Sequence, residues 1–435
     1  MTSGRTIAAG AGFAGDRIEP AVHLAKSGLV DSIVLECLAE RTMVPGLKAR
    51  RTNPQAGADP RLRRRLKPLL PAAVANGCRV ISNLGAANPA AAGSEIARLA
   101  REIGCSGLKI AAVIGDDVMA LRDKIIWEQP ITGDLLGAHA YLGTAGLLQA
   151  IDGGADVVVT GRVADSALFA ADLVPILDPG DDAFAGAVTV GHLLECSGQI
   201  TGGNYQPLAG GGLDAAAFAE IGYPLARVLP DGTAEIGVLE GVPAIVDRFT
   251  CTLQLLYEVH DPSAYITPDL TVDFTGIRFE QIGRNRVRVS GARPVGRPTN
   301  LKVSGFVEHE GVIADVEVGF AGAGAYDRAR QSVEILRRRF ADWPEEDVRI
   351  DLVGIDSVLG RPCGTEPSEL RAHISARCPD ADVAQLVEDE VYTLTISGPA
   401  GGCSVRSERR PRIEVVSGLI ARNLVGTTIE WSDAQ

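Results

Sequence analysis

The chain has 435 residues, of which 46% are hydrophobic and 22% charged, and it carries a formal net charge of −13. That apolar content excludes a mostly disordered chain. The acidic balance supplies no field for nucleic acid or anionic membrane, and aromatics at 5% leave few rings for base stacking.

The N-terminus, MTSGRTIAAGAGFAGDR, reads as a strand entering a glycine turn rather than a signal peptide. Beyond it, short apolar runs alternate with helical patterns. Residues 6–9, 31–35, 79–82, 108–114 and 156–160 are mostly rich in Val and Ile, and each is followed by Gly, Asn or an acid. Such runs suit strands buried on both faces of a parallel sheet. Helices are expected over 20–27, 60–76, 90–103 and 143–152, the last stopped by Gly153 and Gly154. The alternation predicts an α/β fold with a mostly parallel sheet, an open doubly wound sheet being preferred over part of a barrel.

The pattern changes near residue 200. Residues 201–213, TGGNYQPLAGGGL, read as a linker or site lid. Further on, 271–274, 286–289, 302–307 and 313–318 alternate like half-exposed antiparallel strands, and 325–339 is a charged amphipathic helix. Strands are also expected at 349–353, 373–376 and 391–396. The expected organisation is an α/β domain over 1–240 and an α+β domain over 241–435. No run reaches the roughly 18 apolar residues of a membrane span. The eight cysteines (Cys37, Cys78, Cys105, Cys196, Cys251, Cys363, Cys378 and Cys403) form no C-x-x-C pair, which reads as reduced thiols in a cytoplasmic protein.

Gly10, Gly12 and Gly15 form G-x-G-x-x-G, and Glu36 stands where a ribose-binding carboxylate is expected. Asp16 opposes phosphate directly after the third glycine, and Pro20 delays or kinks the helix. A tight turn in a protein with 50 glycines is the plainer reading, with an NAD(P)-dependent oxidoreductase as the alternative.

Ligands of parallel α/β sheets bind outside the carboxyl ends of the strands. There the sequence offers Gly12, Gly15 and Asp16; Glu36 and Cys37; Asn83, Gly85 and Asn88; Gly115, Asp116 and Asp117; and Gly161, Arg162, Asp165 and Ser166. Carboxylates suit proton transfer, amides orient a carbonyl, and an arginine anchors an anion. Each also has a plain structural use, as Asx-turn, helix cap or salt bridge. His139 and Tyr141 are expected nearby at a helix entrance, and Glu195 and Cys196 precede the glycine loop with Gly202, Gly203 and Asn204. The glutamates before Cys37 and Cys196 disfavour thiolates, so both are expected as structural thiols. No zincin, nucleophile-elbow, Walker A or zinc pattern occurs, and no cofactor is required by motif; magnesium at Asp116 and Asp117 is conceivable but nothing specifies it. The basic stretches 61–67 and 406–412 read as solvated faces or as phosphate contacts for a coenzyme A ester, the second helped by the glycine segment 398–402.

GAGFAGDR (10–17), SNLGAANP (82–89), GDDV (115–118), AYLGTAGLLQAIDGGADVVVTGRVADSAL (140–168), LECSGQITGGNY (194–205), YEVHDPSAYITPDLTVDFTG (257–276), LKVSG (301–305) and ISGPAGG (396–402) together resemble the acyclic terpene utilisation (AtuA-like) family, over nearly the whole chain. The resemblance implies a coenzyme A thioester or related branched carboxylic acid as substrate. It carries no assigned reaction or catalytic residue set, and it lowers the nicotinamide reading. Longer members carry an extra small C-terminal domain, absent from this sequence, which ends at WSDAQ. The leading expectation is a lyase or hydratase with Asp116, Asp165 and His139 for proton transfer, Asn83 as oxyanion donor and Arg162 as anion anchor. A non-catalytic binding protein is a further alternative. A small-molecule substrate and a homo-oligomer are expected, without nucleic-acid or membrane partners.

Overall fold

The computed structural model describes residues 4–207, 210–362, 364 and 366–434. Two compact units emerge: residues 1–129, 136–305 and 416–435 form one, and 130–135 with 306–415 form the other. A boundary near residue 240 does not coincide with this division, because the first unit takes up the following strands to residue 305 and the last strand of the chain.

The first unit is built on ten strands: β1 (Arg5–Ala11), β2 (Ser32–Leu35), β3 (Arg79–Ser82), β4 (Lys109–Ile114), β5 (Val157–Thr160), β6 (Leu225–Val228), β7 (Ala234–Gly237), β8 (Arg278–Gly283), β9 (Arg286–Ser290) and β10 (Thr428–Asp433). Their order is β8-β9-β7-β6-β1-β2-β3-β5-β4-β10. The middle, β1-β2-β3-β5-β4, is parallel, as the apolar runs predict. Both flanks are antiparallel, so the sheet is mixed rather than mostly parallel.

Successive residues of a strand point to opposite faces. Ile7, Ala9, Val34, Ala111, Val113 and Val158 enter one buried cluster, and Ala8, Ile33, Leu35, Ile110, Ala112 and Val159 another. Helices α1 (Glu19–Lys26), α3 (Leu62–Ala75) and α4 (Pro89–Glu102) bury apolar stripes in the second cluster; α2 (Glu40–Thr52) lies between α1 and α3 in sequence. Helices α5 (Thr144–Asp152), α6 (Asp165–Leu173) and α7 (Asp181–Glu195) do so in the first, joined by α8 (Arg248–Leu256) through Cys251 and Leu255. Pro20 does not delay α1. It sits in the first turn, where its missing N–H has no intrahelical acceptor to lose.

The register sets Leu35 opposite Ser82, Ser82 opposite Val159, and Val113 opposite Thr160. The carboxyl ends of the parallel strands therefore align along one border.

In the second unit, strand Val348–Val353, strand Glu369–Cys378 and the 306–321 part of strand Asn300–Ala321 pair antiparallel. Helices Ala325–Arg339 and Ala381–Tyr392 bury their apolar sides against alternate residues of these strands. The strand expected at 391–396 is instead the end of helix Ala381–Tyr392 followed by a turn, Leu394–Ser397. Asp380 caps that helix, and Ala384, Val387, Val391 and Leu394 fall at helical spacing on its buried side. This burial outweighs the strand preference of a β-branched run. Among the described residues, no helix is long and apolar enough to cross a membrane, and seven cysteines are free thiols; Cys363 lies outside them.

Candidate functional site

Four of the five parallel strand ends are knitted together beneath the border. Asn83 is 1% exposed. Its Oδ1 accepts from the Cys37 amide at 2.7 Å and its Nδ2 donates to Glu36 Oε1 at 2.9 Å. Glu36 Oε1 also accepts from the Leu38 amide at 2.8 Å. Asp116 Oδ2 accepts from the Arg162 amide and meets His139 Nδ1, both at 2.8 Å. Gly161 makes this possible, since a Cβ there would lie 2.4 Å from the same oxygen. The Arg162 guanidinium donates to the Leu38 carbonyl, approaches Asp165 Oδ1 at 3.8 Å and lies 4.8 Å over the Tyr141 ring. Asn83, Asp116, His139 and Arg162 are thus buried and mutually engaged, as a foundation rather than a wall. His139 stands on strand Asp134–Ala140, not at a helix entrance.

Above that foundation is a hollow of about 220 Å³, walled by Tyr141, Asp165, His192, Glu195, Tyr265 and Lys302 among others. Asp165 enters it from the first turn of α6, directly after the β5 turn, and its side chain is 37% exposed. His192 and Glu195 come from the last turn of α7, three residues apart and so on one face. Tyr265 comes from the short strand Tyr265–Ile266, paired with strand Thr271–Asp273, and its ring packs tilted against His192 with centroids 4.7 Å apart. Lys302 and Asn300 project together because alternate residues of a strand share a side. Lys302 Nζ also lies 4.9 Å over the Tyr141 ring, and the Tyr141 hydroxyl donates to Glu40.

Several acids share this neighbourhood with one buried guanidinium. Burial pushes Asp165 well above its usual range; the negative charges of Glu36, Glu195 and Glu40 add to this while Arg162 opposes it. Its Oδ1 is sealed and meets no hydrogen-bond donor, so no hydrogen bond there offsets the cost of ionisation. Burial also raises Glu36, against the hydrogen bonds of Asn83 and Leu38 and the charge of Arg162. Glu40 goes the other way: burial raises it, but Arg162 and the Tyr141 hydroxyl more than offset this. For His192, burial favours the neutral ring, yet Glu195 beside it and the Leu255 carbonyl lift its pKa above normal. The arrangement places a carboxyl of raised pKa, an imidazole–carboxyl pair and a lysine around one small hollow.

The other expected residues have different occupations. Gly12 donates its amide to Asp16 Oδ2 at 2.8 Å, and Tyr223 donates to Asp16 Oδ1 at 2.7 Å. The place where G-x-G-x-x-G would take phosphate is filled by the chain's own carboxylate. A Cβ on Gly12 would strike the Cys196 backbone at 2.4 Å, and one on Gly15 the Phe13 ring at 2.5 Å, so both glycines answer to packing. Gly85 lets its turn approach the Thr160 carbonyl, which a Cβ would meet at 2.3 Å. Asn88 caps α4 through the Ala91 amide and donates to the Pro54 and Ala56 carbonyls. Asp117 pairs with Arg50 at 3.0 Å, and no group of three potential metal ligands occurs among the described residues. Gly202, Gly203 and Asn204 form a turn in which Asn204 donates to Gln199 Oε1; Leu208 and Ala209 of the same loop lie outside the described residues. Burial raises the thiols of Cys37 and Cys196, consistent with structural roles.

In the first basic stretch, Arg63 is paired with Glu95 and Glu102, and Arg65 donates to the carbonyls of Phe13, Ala14 and Asp16. In the second, Arg409 meets Glu388 and Arg410 meets Asp315. The Ala400 carbonyl of the glycine segment faces a cation, the Arg328 guanidinium, at 2.6 Å.

His192 was missed in the sequence, and Glu195, Tyr141, Tyr265 and Lys302 were not assigned roles. The available signal was H-x-x-E closing a helix, which places both side chains on one face.

Fold and hollow together define an α/β protein with an acid-lined cavity at the carboxyl border of a mixed sheet. A family model described as acyclic terpene utilisation family protein AtuA matches residues 6–431, so the chain belongs to that family, which implies involvement in acyclic terpene utilisation. No curated protein and no solved structure gave a match.

Proposed function

We propose that the chain is a lyase- or hydratase-type enzyme that moves protons next to the carbonyl of a branched carboxylic compound, free or as a coenzyme A thioester. The observation that carries this reading is Asp165, a carboxyl in the wall of the hollow whose pKa burial and the neighbouring acids push well above the ordinary aspartate value. A carboxyl with a raised pKa keeps its proton to higher pH than an ordinary aspartate, and so is better suited to deliver one to a departing oxygen. Lys302 and Asn300 suit the substrate carbonyl or carboxylate, where negative charge grows as an enolate forms. The family supports a branched acyclic skeleton.

The test is turnover of methyl-branched acids and their coenzyme A thioesters, followed by mass spectrometry. Asp165→Asn should lower kcat by roughly 100- to 10,000-fold, the usual contribution of a positioned acid. Unchanged turnover in that variant would refute the assignment.

A further inference from the structure

Resting on the reading of Asp165 as proton donor, we infer that Glu258, in the wall of the same hollow, is the base that takes the substrate's α-hydrogen. The wall groups sort by what already occupies them. His192 meets Glu195 Oε1 through Nδ1 at 2.7 Å and the Leu255 carbonyl through Nε2 at 3.1 Å, so both ring nitrogens are engaged inside the protein. Glu195 spends one oxygen on that histidine, and its other oxygen is sealed from solvent. The Tyr141 hydroxyl donates to Glu40. Glu258 differs from these: it lines the hollow and is exposed, so a substrate can reach it.

Its backbone sets it apart as well. Glu258 directly follows Tyr257, the C-cap of α8, and stands in the left-handed region at φ 58°. Glycine is the usual residue at that place, because a Cβ there crowds the following carbonyl oxygen. The charge is also unfavourable, since the carbonyls at a helix C-terminus attract cations and repel a carboxylate. The turn asks for neither the side chain nor the charge. It closes through backbone bonds, from the Tyr257 amide to the Gln254 carbonyl at 3.2 Å and from the Val259 amide to the Leu256 carbonyl at 3.3 Å. A side chain that costs stability twice, and that borders a cavity, is accounted for by what it does there. The Tyr257 phenol is close by: the charge of Glu258, ahead of burial, is the first cause of its raised pKa.

The step balances for a β-hydroxyacyl substrate. The Cα–H proton passes to a Glu258 oxygen, and the C–H electron pair forms an enolate, stabilised by Lys302. The enolate re-forms its carbonyl as the Cα–Cβ double bond forms and the Cβ–O bond breaks, with that electron pair leaving on oxygen. The Asp165 proton completes water. Glu258 has gained one proton and Asp165 has lost one, so exchange with solvent resets both. The reverse direction hydrates an α,β-unsaturated acyl group.

The probes are 3-methylbut-2-enoyl-CoA, its 3-hydroxy counterpart and the corresponding free acids, incubated with the full chain in deuterium oxide and, separately, in heavy-oxygen water. Wild type should exchange the α-hydrogen for deuterium and incorporate the labelled oxygen. Glu258→Gln should slow α-exchange at least about 100-fold, whereas Asp165→Asn should keep α-exchange while losing oxygen incorporation. Glu258→Gly should lose exchange to the same extent yet melt at or above the wild-type temperature, because it removes the strain and the charge together. Wild-type exchange in Glu258→Gln or Glu258→Gly would overturn the inference and leave the Asp165 reading intact. A Glu258→Gly protein that melts below wild type would also overturn it, by showing that the side chain serves the turn. Absence of both labels from every probe with wild type, a measurement that needs no variant to fold, counts against it equally. Asp165→Asn turnover equal to wild type would instead bring down the underlying reading.

Discussion

Gly161→Ala is the sharpest structural test of the foundation beneath the hollow. An added Cβ would sit 2.4 Å from Asp116 Oδ2, 2.6 Å from Oδ1 and 2.7 Å from Cγ. The carboxylate has nowhere to retreat: Asp116 is 2% exposed, and its Oδ2 holds both His139 Nδ1 and the Arg162 amide at 2.8 Å. To reach an ordinary contact it must move by most of an ångström, which weakens two hydrogen bonds to a charged acceptor worth about 1.5–3 kcal/mol each. Partial relaxation, and the roughly 0.4–1 kcal/mol that alanine contributes by restricting the unfolded chain, reduce the net loss to about 2–4 kcal/mol. At roughly 2–4 °C per kcal/mol for a unit of this size or somewhat smaller, Tm should fall by about 4–16 °C in a calorimetric scan. Gly426→Ala is the control, because a Cβ there meets nothing within 4 Å; it should stay within about 0.5 kcal/mol of wild type. A Gly161→Ala protein that melts with wild type, or whose crystal structure keeps the Asp116–His139 contact beside the new methyl group, would refute the reasoning.

Asp165 also makes stability depend on pH. Its folded pKa lies above the ordinary 3.8, so the proton binds the folded chain more tightly than the unfolded one. That stabilisation is complete below the ordinary value and is lost as pH rises through the folded value. Asparagine does not ionise, so the stability of Asp165→Asn relative to wild type should improve from about pH 4 upward; urea midpoints that run parallel across pH would contradict this. Asn88→Ala removes a cap and the donors to two carbonyls. It should cost about 1–3 kcal/mol by chemical denaturation, and an unchanged midpoint would show the cap to be dispensable.

The parallel middle of the sheet was legible because strands buried on both faces leave uninterrupted aliphatic runs, and the helices between them carry stops such as Gly153. The antiparallel flanks were less so. Parallel and antiparallel partners of β1 or β4 impose the same burial on those strands, and only the register tells them apart. Residues 391–396 misled for a different reason: VYTLTI satisfies a local strand preference, while the spacing of Val387, Val391 and Leu394 that makes it helical depends on which neighbours cover them.

The site shows the same division more clearly. Sequence reasoning could state that Asn83, Asp116, Arg162 and Asp165 all follow strand ends, because the parallel topology brings such ends to one border. It could not state which of them would spend their hydrogen bonds on each other. Asn83 uses both ends of its amide on Glu36 and Cys37, and Asp116 holds His139 and the Arg162 amide with one oxygen, so both are engaged inside the protein. Asp165 differs by one structural circumstance. As the first residue of α6 it is carried past the knitted layer, and the guanidinium that approaches it, Arg162, is shared with Glu36 and Glu40. One guanidinium cannot neutralise three carboxylates, so the least well paired of them has its pKa pushed well up. The chemistry proposed for Asp165 thus depends on the others being occupied: Arg162→Met should raise its pKa further, and adding a second cation beside it should turn a proton donor into an ordinary aspartate.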